Sequence, residues 1–239
     1  MLLFLCQACL IGLSPAFSTE TDLRLIPFPK EVQQTGGNFV VTESLAVVSD
    51  KNTNASDRFA ADELIRDLGT RWNIHATRSL TGGDGAVILA RNPRNTSIPA
   101  QGYQLTVTAR QIIINARDEA GLFYGTRTLL QLIGKTAEGL RIPCLTIRDW
   151  PDLAVRAVHY DTKHHQDKAS YVRAFIQDLA SYKINMLVWE WEDKLAYPSH
   201  PEIGAPGAFT IGEMQEFTQY ARQYHIEIVP LVQGLGHVS

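Results

Sequence analysis

The chain has 239 residues, 45% of them hydrophobic and 20% charged. That is enough for one large or two ordinary domains, and too apolar for a mainly disordered protein. The formal net charge is -3 with no basic block, so nothing argues for a nucleic-acid partner.

Leu2 to Leu13 is an apolar run too short to cross a bilayer, followed by Ser14, Pro15, Ala16 and Ser18. This is the pattern of a signal-peptide core and cleavage zone, although no Lys or Arg precedes Arg24. Residues 1–20 are predicted to be an export signal, giving a periplasmic or extracellular product, or a lysosome-like address in a eukaryote, with no membrane span. Cys6 and Cys9 fall inside that segment, so only Cys144 would remain. A disulfide framework and a cysteine-rich zinc site are excluded, and Cys144 reads as a small core residue. Asn54-Ala55-Ser56 and Asn95-Thr96-Ser97 are glycosylation sequons.

In the first half, Leu25-Ile-Pro-Phe-Pro-Lys30 suits an extended edge segment. Two β-prone runs lie between Phe39 and Val48, around Thr42-Glu-Ser44. Ala61, Leu64, Ile65, Leu68 and Trp72 recur at helical spacing, predicting a helix over 56–72 capped by Ser56 or Asp57. Ala86 to Ala90 is a buried strand. Tyr103 to Thr108 and Ile112 to Ala116 are strands joined by a turn. Leu122, Phe123, Thr126, Leu130 and Ile133 line a second helix, ending at Gly134. Asp118-Glu119 sits where a helix N-terminus attracts acids anyway. Residues 21–148 therefore read as an α+β domain with two helices on one side of its strands, able to fold alone.

From 149 onward the pattern changes. Asp149-Trp-Pro-Asp152 is a junction, and Val155 to Tyr160 a strand. Val172, Phe175, Leu179 and Tyr182 mark a helix face. Ile184 to Asp193 opens as a buried strand and ends in Glu190, Glu192 and Asp193 beside Trp189 and Trp191. Ionised carboxylates are costly inside a dry strand, so these acids mark its wet mouth. Acids beside indole rings suit sugars, whose apolar face stacks on a ring while hydroxyls bond to carboxylates. Residues 194–209 form a long loop of the kind that is usually functional. Thr210-Ile-Gly-Glu213 is a capping-box pattern. Met214, Phe217, Ala221 and Tyr224 face inward from the next helix, and Ile226 to Val232 is a third apolar strand. The order β-α-β-α-β predicts parallel strands with right-handed crossovers. A dinucleotide site would want Gly-x-Gly-x-x-Gly after the first strand, and Asp161-Thr-Lys-His-His165 has no glycine. His159, His164 and His165 lack a metal-ligand pattern, so no metal and no cofactor are expected.

Arg156-Ala-Val-His-Tyr-Asp161, Tyr182-Lys-Ile-Asn185, Glu190-Trp-Glu-Asp-Lys-Leu-Ala-Tyr197 and Val229-Pro-Leu-Val-Gln-Gly-Leu-Gly-His237 together resemble the start of the catalytic barrel of glycoside hydrolase family 20, the β-N-acetylhexosaminidases. The last two are most similar to its hexosaminidase D branch. Asp118-Glu-Ala-Gly-Leu-Phe-Tyr-Gly-Thr-Arg-Thr-Leu129 is similar to the non-catalytic domain that precedes many such barrels.

The resemblance implies an α/β fold: a small α+β N-terminal domain (21–148), then the first three βα units of a (β/α)8 TIM barrel (149–239). It implies an exo-acting glycosidase that removes terminal N-acetylhexosamine from glycans. The mechanism would be retaining and substrate-assisted, through an oxazolinium-like intermediate. The Asp-Glu pair of that mechanism is expected on a fourth strand, beyond Ser239, so the barrel is expected to be incomplete and the chain inactive by itself. Asp193 and His237 are the implied supporting residues. Arg156, Asp161, Glu190, Glu192 and Trp191 are the implied substrate-binding ones. A non-catalytic sugar-binding or scaffold protein of the same fold, or an O-GlcNAcase-like glycosidase, are the alternatives.

Overall fold

The computed structural model describes residues 22–49 and 53–233. The expected export signal, Cys6, Cys9 and His237 lie outside the described residues.

The first half is an eight-stranded mixed sheet. Its strands are β1 (Glu31–Val40), β2 (Ser44–Ser49), β3 (His75–Ser79), β4 (Ala86–Arg91), β5 (Tyr103–Val107), β6 (Ile112–Ala116), β7 (Gly134–Thr136) and β8 (Gly139–Asp149), in the order β1-β8-β5-β6-β4-β2-β3 with β7 beside β8. The β1, β5, β7 and β8 pairings are antiparallel, while β3, β2, β4 and β6 run parallel. β5 and β6 alternate buried and half-buried residues, so one sheet face is covered and the other partly wet.

Helices α1 (Ala55–Trp72) and α2 (Glu119–Leu132) cover that face. α1 starts one residue earlier than the spacing predicts. Its cap is Asn54, whose side-chain oxygen accepts from the Asp57 amide at 2.9 Å. Sequence could not separate Asn54 from Ser56 and Asp57 because all three are good caps. α2 is capped by Asp118. α2 is apolar nearly all round, as a helix buried between two layers must be. Gly121 and Gly125 let it press against the sheet. A Cβ on Gly121 would stand 2.1 Å from the Gly102 carbonyl oxygen, and one on Gly125 2.5 Å from Ile114 Cγ2.

The second half adds a three-stranded parallel sheet in the order β11-β10-β9. It comprises β9 (Ala157–Asp161), α3 (Ala169–Ser181), β10 (Met186–Glu190), a 3-10 turn (Glu192–Lys194), α4 (Ile211–Gln223) and β11 (Glu227–Leu231). Thr210 and Glu213 form the expected capping box. Met214, Phe217, Ala221 and Tyr224 are buried as expected, whereas Tyr182 is half exposed. Strands β3, β7, β8 and the first half of β1 were not read from the sequence. β3, β7 and that part of β1 are short or polar and gain their pairing from neighbours, whereas β8 carries a proline and is held between β1 and β5.

The halves share the helix layer. Tyr224 packs edge-on against Phe59 of α1, with ring centroids 4.9 Å apart, and against Phe123 of α2 at 5.9 Å. Its hydroxyl donates to Glu63 at 2.7 Å. Below this layer Lys183 and Asp149 form a buried pair at 2.7 Å, and Tyr103 joins it, bonding to Thr128 and Asp149. Burial draws the Lys183 ammonium below its usual range while Asp149 opposes that shift.

α3 and α4 end alike. Lys183 and His225 both take the left-handed conformation, φ 62° and 60°. The following Ile184 and Ile226 amides bond back to Leu179 and Ala221. Glycine usually fills that place, but here the side chains are used. Lys183 reaches Asp149, and His225 lies 5.6 Å from Phe123, facing Glu119, Asp118 and Asp57.

Removing one member of a buried ion pair strands the other. Asp149→Asn is expected to cost about 3–5 kcal/mol, and at roughly 2–4 °C per kcal/mol thermal unfolding will register it. The double variant Asp149→Leu/Lys183→Met should lose less than the two single changes summed. Burial also holds His225 below its ordinary value of 6.5. The unfolded chain then takes up the proton first as pH falls. The stability from neutral His225 is complete above about pH 6.5 and declines below it. His225→Asn, which tolerates the left-handed backbone without titrating, should flatten the fall in unfolding midpoint between pH 7.5 and 5.

Candidate functional site at the strand ends

In a parallel sheet, paired residues point to the same side, so register assigns the faces. Tyr160, Leu187 and Trp189 turn toward α3 and α4 and are buried. Trp189 sits among Tyr160, Phe209 and Phe217. His159 pairs with Val188, and Glu190 pairs with Asp161 on one side and Leu231 on the other, on the opposite face. None of α1 to α4 covers that face, and Ala157, His159 and Asp161 on it are exposed.

Glu190 is the exception there, only 1% exposed. It ends the central strand and gathers groups from both neighbours. His159 Nε2 lies 2.9 Å from one carboxylate oxygen. The Gln233 amide donates to the other oxygen, and Lys163 Nζ stands 3.4 Å from it. The Thr162 amide and hydroxyl both donate to the Glu190 carbonyl, at 3.1 and 3.0 Å. The Gln233 hydrogen bond, then His159 and the Lys163 charge, hold the Glu190 carboxyl below its usual range against the opposing effect of burial. Glu190 is therefore an anion at neutral pH. Asp161 is lowered too, first by the Lys163 amide, which donates to it at 2.9 Å. Burial works against the charge on Lys163, but Glu190, Asp161 and Glu192 outweigh it and keep its ammonium above the usual value.

The other expected residues divide. Glu192 joins the cluster at 3.8 Å from Lys163 Nζ, with a left-handed backbone at φ 40°. Such strain in a non-glycine residue tends to mark functional sites. The Asp193 carboxylate takes the Lys194 ammonium, which also donates to the Lys163 carbonyl at 3.2 Å. The Asp193 carbonyl accepts from Ala205 in the long loop. Trp191 is placed away from the cluster. Its ring packs on Trp189 at 6.1 Å and lines a hollow with Leu195, Met214 and Thr218, on the helix side.

Arg156 is at the wrong end for the role expected of it. It precedes β9, a strand's length from Asp161, at the junction with the first half. Nε donates to the Lys183 carbonyl at 2.7 Å and Nη1 to that of Leu153 at 2.8 Å. Nη2 reaches Gln101 and Tyr124. Asn185 joins the same junction, donating to the Ala154 carbonyl and accepting from the Arg156 amide. The spacing from Arg156 to Asp161 was readable, but spacing along one strand does not say which end a ligand meets.

Sequence reasoning passed over Lys163 and Gln233 and considered His159 only as a metal ligand. The period-two step from His159 to Asp161 could have placed both on the face of Glu190. Among the described residues there is no group of three or more His, Cys, Asp or Glu placed to hold a metal.

Glu190→Leu should lower the unfolding midpoint at pH 7, where the native carboxylate is charged and partnered. Because its native value is depressed, that contribution is present above about 4.5 and disappears as pH falls through the native value. The gap between variant and wild type should close toward pH 3, as read by circular dichroism.

Comparison with known proteins bears on the whole arrangement. Residues 22–150, more than half of the chain, match the family model for glycosyl hydrolase family 20, domain 2. A β-N-acetylhexosaminidase from Cellulomonas fimi is 29% identical over 237 residues, covering 91% of this chain and 47% of that protein. A β-hexosaminidase from Vibrio furnissii is 26% identical, covering 93% of this chain and 39% of that one. The solved family 20 β-N-acetylhexosaminidase from Streptomyces coelicolor A3(2) superposes with a TM-score of 0.76 at 27% identity, covering 88% of this chain and 46% of that one. The chain thus spans about half or less of the length of these relatives. With its first half matched by that domain model and its α/β architecture shared with solved members, the chain belongs to glycoside hydrolase family 20.

Proposed function

We propose that this chain supplies the non-catalytic domain and the opening strands of a (β/α)8 barrel in an exo-acting β-N-acetylhexosaminidase. Its substrate class is a glycan or glycoconjugate ending in N-acetylhexosamine. The observation that carries the reading is the anionic, nearly inaccessible Glu190 at the centre of three parallel strand ends, holding His159, Lys163 and Gln233 beside it. In parallel α/β barrels the C-terminal strand ends form the active-site face. Among the described residues, β9 and β11 are edge strands of this sheet, which suits completion by further strands. A first domain over residues 21–148, the start of the barrel from residue 149, and export through residues 1–20 belong to the same reading.

An ionised Glu190 does not serve as the acid that protonates a leaving oxygen, because that role needs a carboxyl kept neutral. Glu190 instead organises its neighbours, while Asp161, Glu192 and Asp193 offer acceptors to sugar hydroxyls or support the catalytic pair. That Asp-Glu pair belongs to a fourth strand: the Asp holds the acetamido group, and the Glu protonates the leaving oxygen while the acetamido oxygen attacks the anomeric carbon.

The full-length protein should release a chromogenic aglycone from a β-N-acetylglucosaminide, and a thiazoline mimic of the oxazolinium should compete with that substrate. Equal turnover of the matching β-glucoside, which has no acetamido group, would sink the substrate-assisted reading.

A further inference from the structure

α1 and α2 of the first half meet the end of α3 over a hollow of about 330 Å³. It lies at the seam of the two halves, on the base side of β10, the end opposite Glu190. Small-molecule sites begin at roughly 300 Å³ and favour such seams. The walls carry three arginines, Arg24, Arg71 and Arg127, together with Trp72, Leu130 and Tyr182. Gln131 and Ser181 also line it, but their side chains are spent on the Ile26 backbone and the Asp178 carbonyl. The guanidiniums are the donors an incoming group would meet.

These arginines are short of negative partners. Arg66, Arg71 and Arg127 all turn to one carboxylate, Asp67, and Glu63 is added beside Arg66. Three guanidiniums thus share two carboxylates. Burial also raises the Glu63 carboxyl above its usual range, against the Tyr224 hydrogen bond and Arg66, so its negative charge is the less secure. Arg71 approaches Asp67 only to 3.9 Å, beyond a hydrogen bond, and its side chain keeps 52% of its surface. Arg127 is buried and fixed: Nη1 donates to Asp67, Nε to Thr126, and the guanidinium lies 4.6 Å from the centre of the Phe123 ring. Its Nη2 has no acceptor among the described residues. A buried donor left in that state is unfavourable and calls for a cause.

We propose that this hollow binds a small ring-bearing carboxylate, the anion held by Arg71 and drawn inward by the buried Arg127, the ring against Trp72 and Tyr182. One negative charge is what the arginine cluster lacks. A dianion such as phosphate would overshoot it and repel Asp67 and Glu63. A guanidinium fork matches a planar carboxylate through two parallel bonds. Aromatic walls suit a ring, either the apolar face of a sugar acid or an aromatic acid. Arg24, exposed and 3.7 Å from Asp22, adds positive charge at the mouth. The site stands apart from the Glu190 cluster and does not depend on the hexosaminidase reading.

The test is calorimetry on the full-length protein at low salt, with glucuronate, benzoate, acetate, inorganic phosphate and neutral benzamide. The proteins are wild type, Arg71→Gln, Arg71→Lys and the double variant Arg24→Gln/Arg71→Gln. Glucuronate or benzoate should bind wild type with a Kd below about 1 mM, more tightly than acetate, phosphate or benzamide. Whichever of the two binds better identifies a sugar acid or an aromatic acid as the source of the carboxylate. Loss of one charged hydrogen bond predicts binding about 10-fold weaker in Arg71→Gln, and weaker again in the double variant. Arg71→Lys keeps the charge without the fork and should fall between, and it carries the comparison if Arg71→Gln does not fold. Ring acids that fail to bind, that bind no better than acetate, phosphate or benzamide, or that bind every variant alike overturn the proposal. None of these outcomes bears on release of the chromogenic aglycone, so the hexosaminidase reading stands or falls separately.

Discussion

Lys183 and Asp149 share a hydrogen bond that water barely reaches, and it joins the last strand of the first half to the turn that opens β10. Two charges taken out of water are tolerated only when each has a partner and the remaining donors are used. Each charge has its partner here, Tyr103 accepts a second Lys183 donor and donates to Asp149, and Thr128 extends the network. Position follows from it. Lys183 adopts a left-handed backbone to reach Asp149, and that conformation turns the chain from α3 into β10. The strand that carries Glu190 is thereby aimed from its base.

Arg156 and Asn185 extend the same clamp. The arginine donates to the Lys183 and Leu153 carbonyls in the second half and to the Gln101 side chain and Tyr124 hydroxyl in the first, and the asparagine ties β9 to β10 where they begin. Much of what is familiar in the second half is thus structural reinforcement at the strand bases. The glycines of α2 have an equally plain reason, because a Cβ at Gly121 or Gly125 would push the helix off the sheet. With α2 held close, Phe123 and Arg127 are presented to the other side. There Tyr224 covers Phe123, and Arg127 pairs with Asp67.

The opposite strand ends are governed by a different balance. Burial alone would favour a neutral Glu190, but the Gln233 and His159 hydrogen bonds and the Lys163 ammonium favour the anion, and their combined effect prevails. An anion fixed in this way organises its surroundings: it orients His159, draws in Lys163, and links all three strands through Gln233 beyond β11. The strained backbone at Glu192 belongs to the same rim. Rigid support at the base and a charged cluster at the mouth are the two ends of one sheet.

Several features were legible from the residues alone. The amphipathic spacing gave α1, α2, α3 and α4, the Thr210–Glu213 pair gave a capping box, and the β-α-β-α-β order gave parallel strands. These are local or periodic properties, fixed by neighbours a few residues away. Glu190 was likewise marked out, because a carboxylate closing an apolar strand is stable only beside water or a partner. Which side and which end a residue occupies was not local. Arg156 and Asp161 flank one short strand, yet only the pairing of β9 with β10 and the docking of the first half put Arg156 at the base. Trp191 lost its place beside the acids because the chain leaves strand geometry after Glu190 and the ring packs on Trp189. Lys163 and His159 gained theirs because register brought them to Glu190. The sequence determined the four helices, the periodic strands and the charged strand end; tertiary structure alone decided the remaining strands and which charges meet, because burial and pairing depend on residues far apart in the chain.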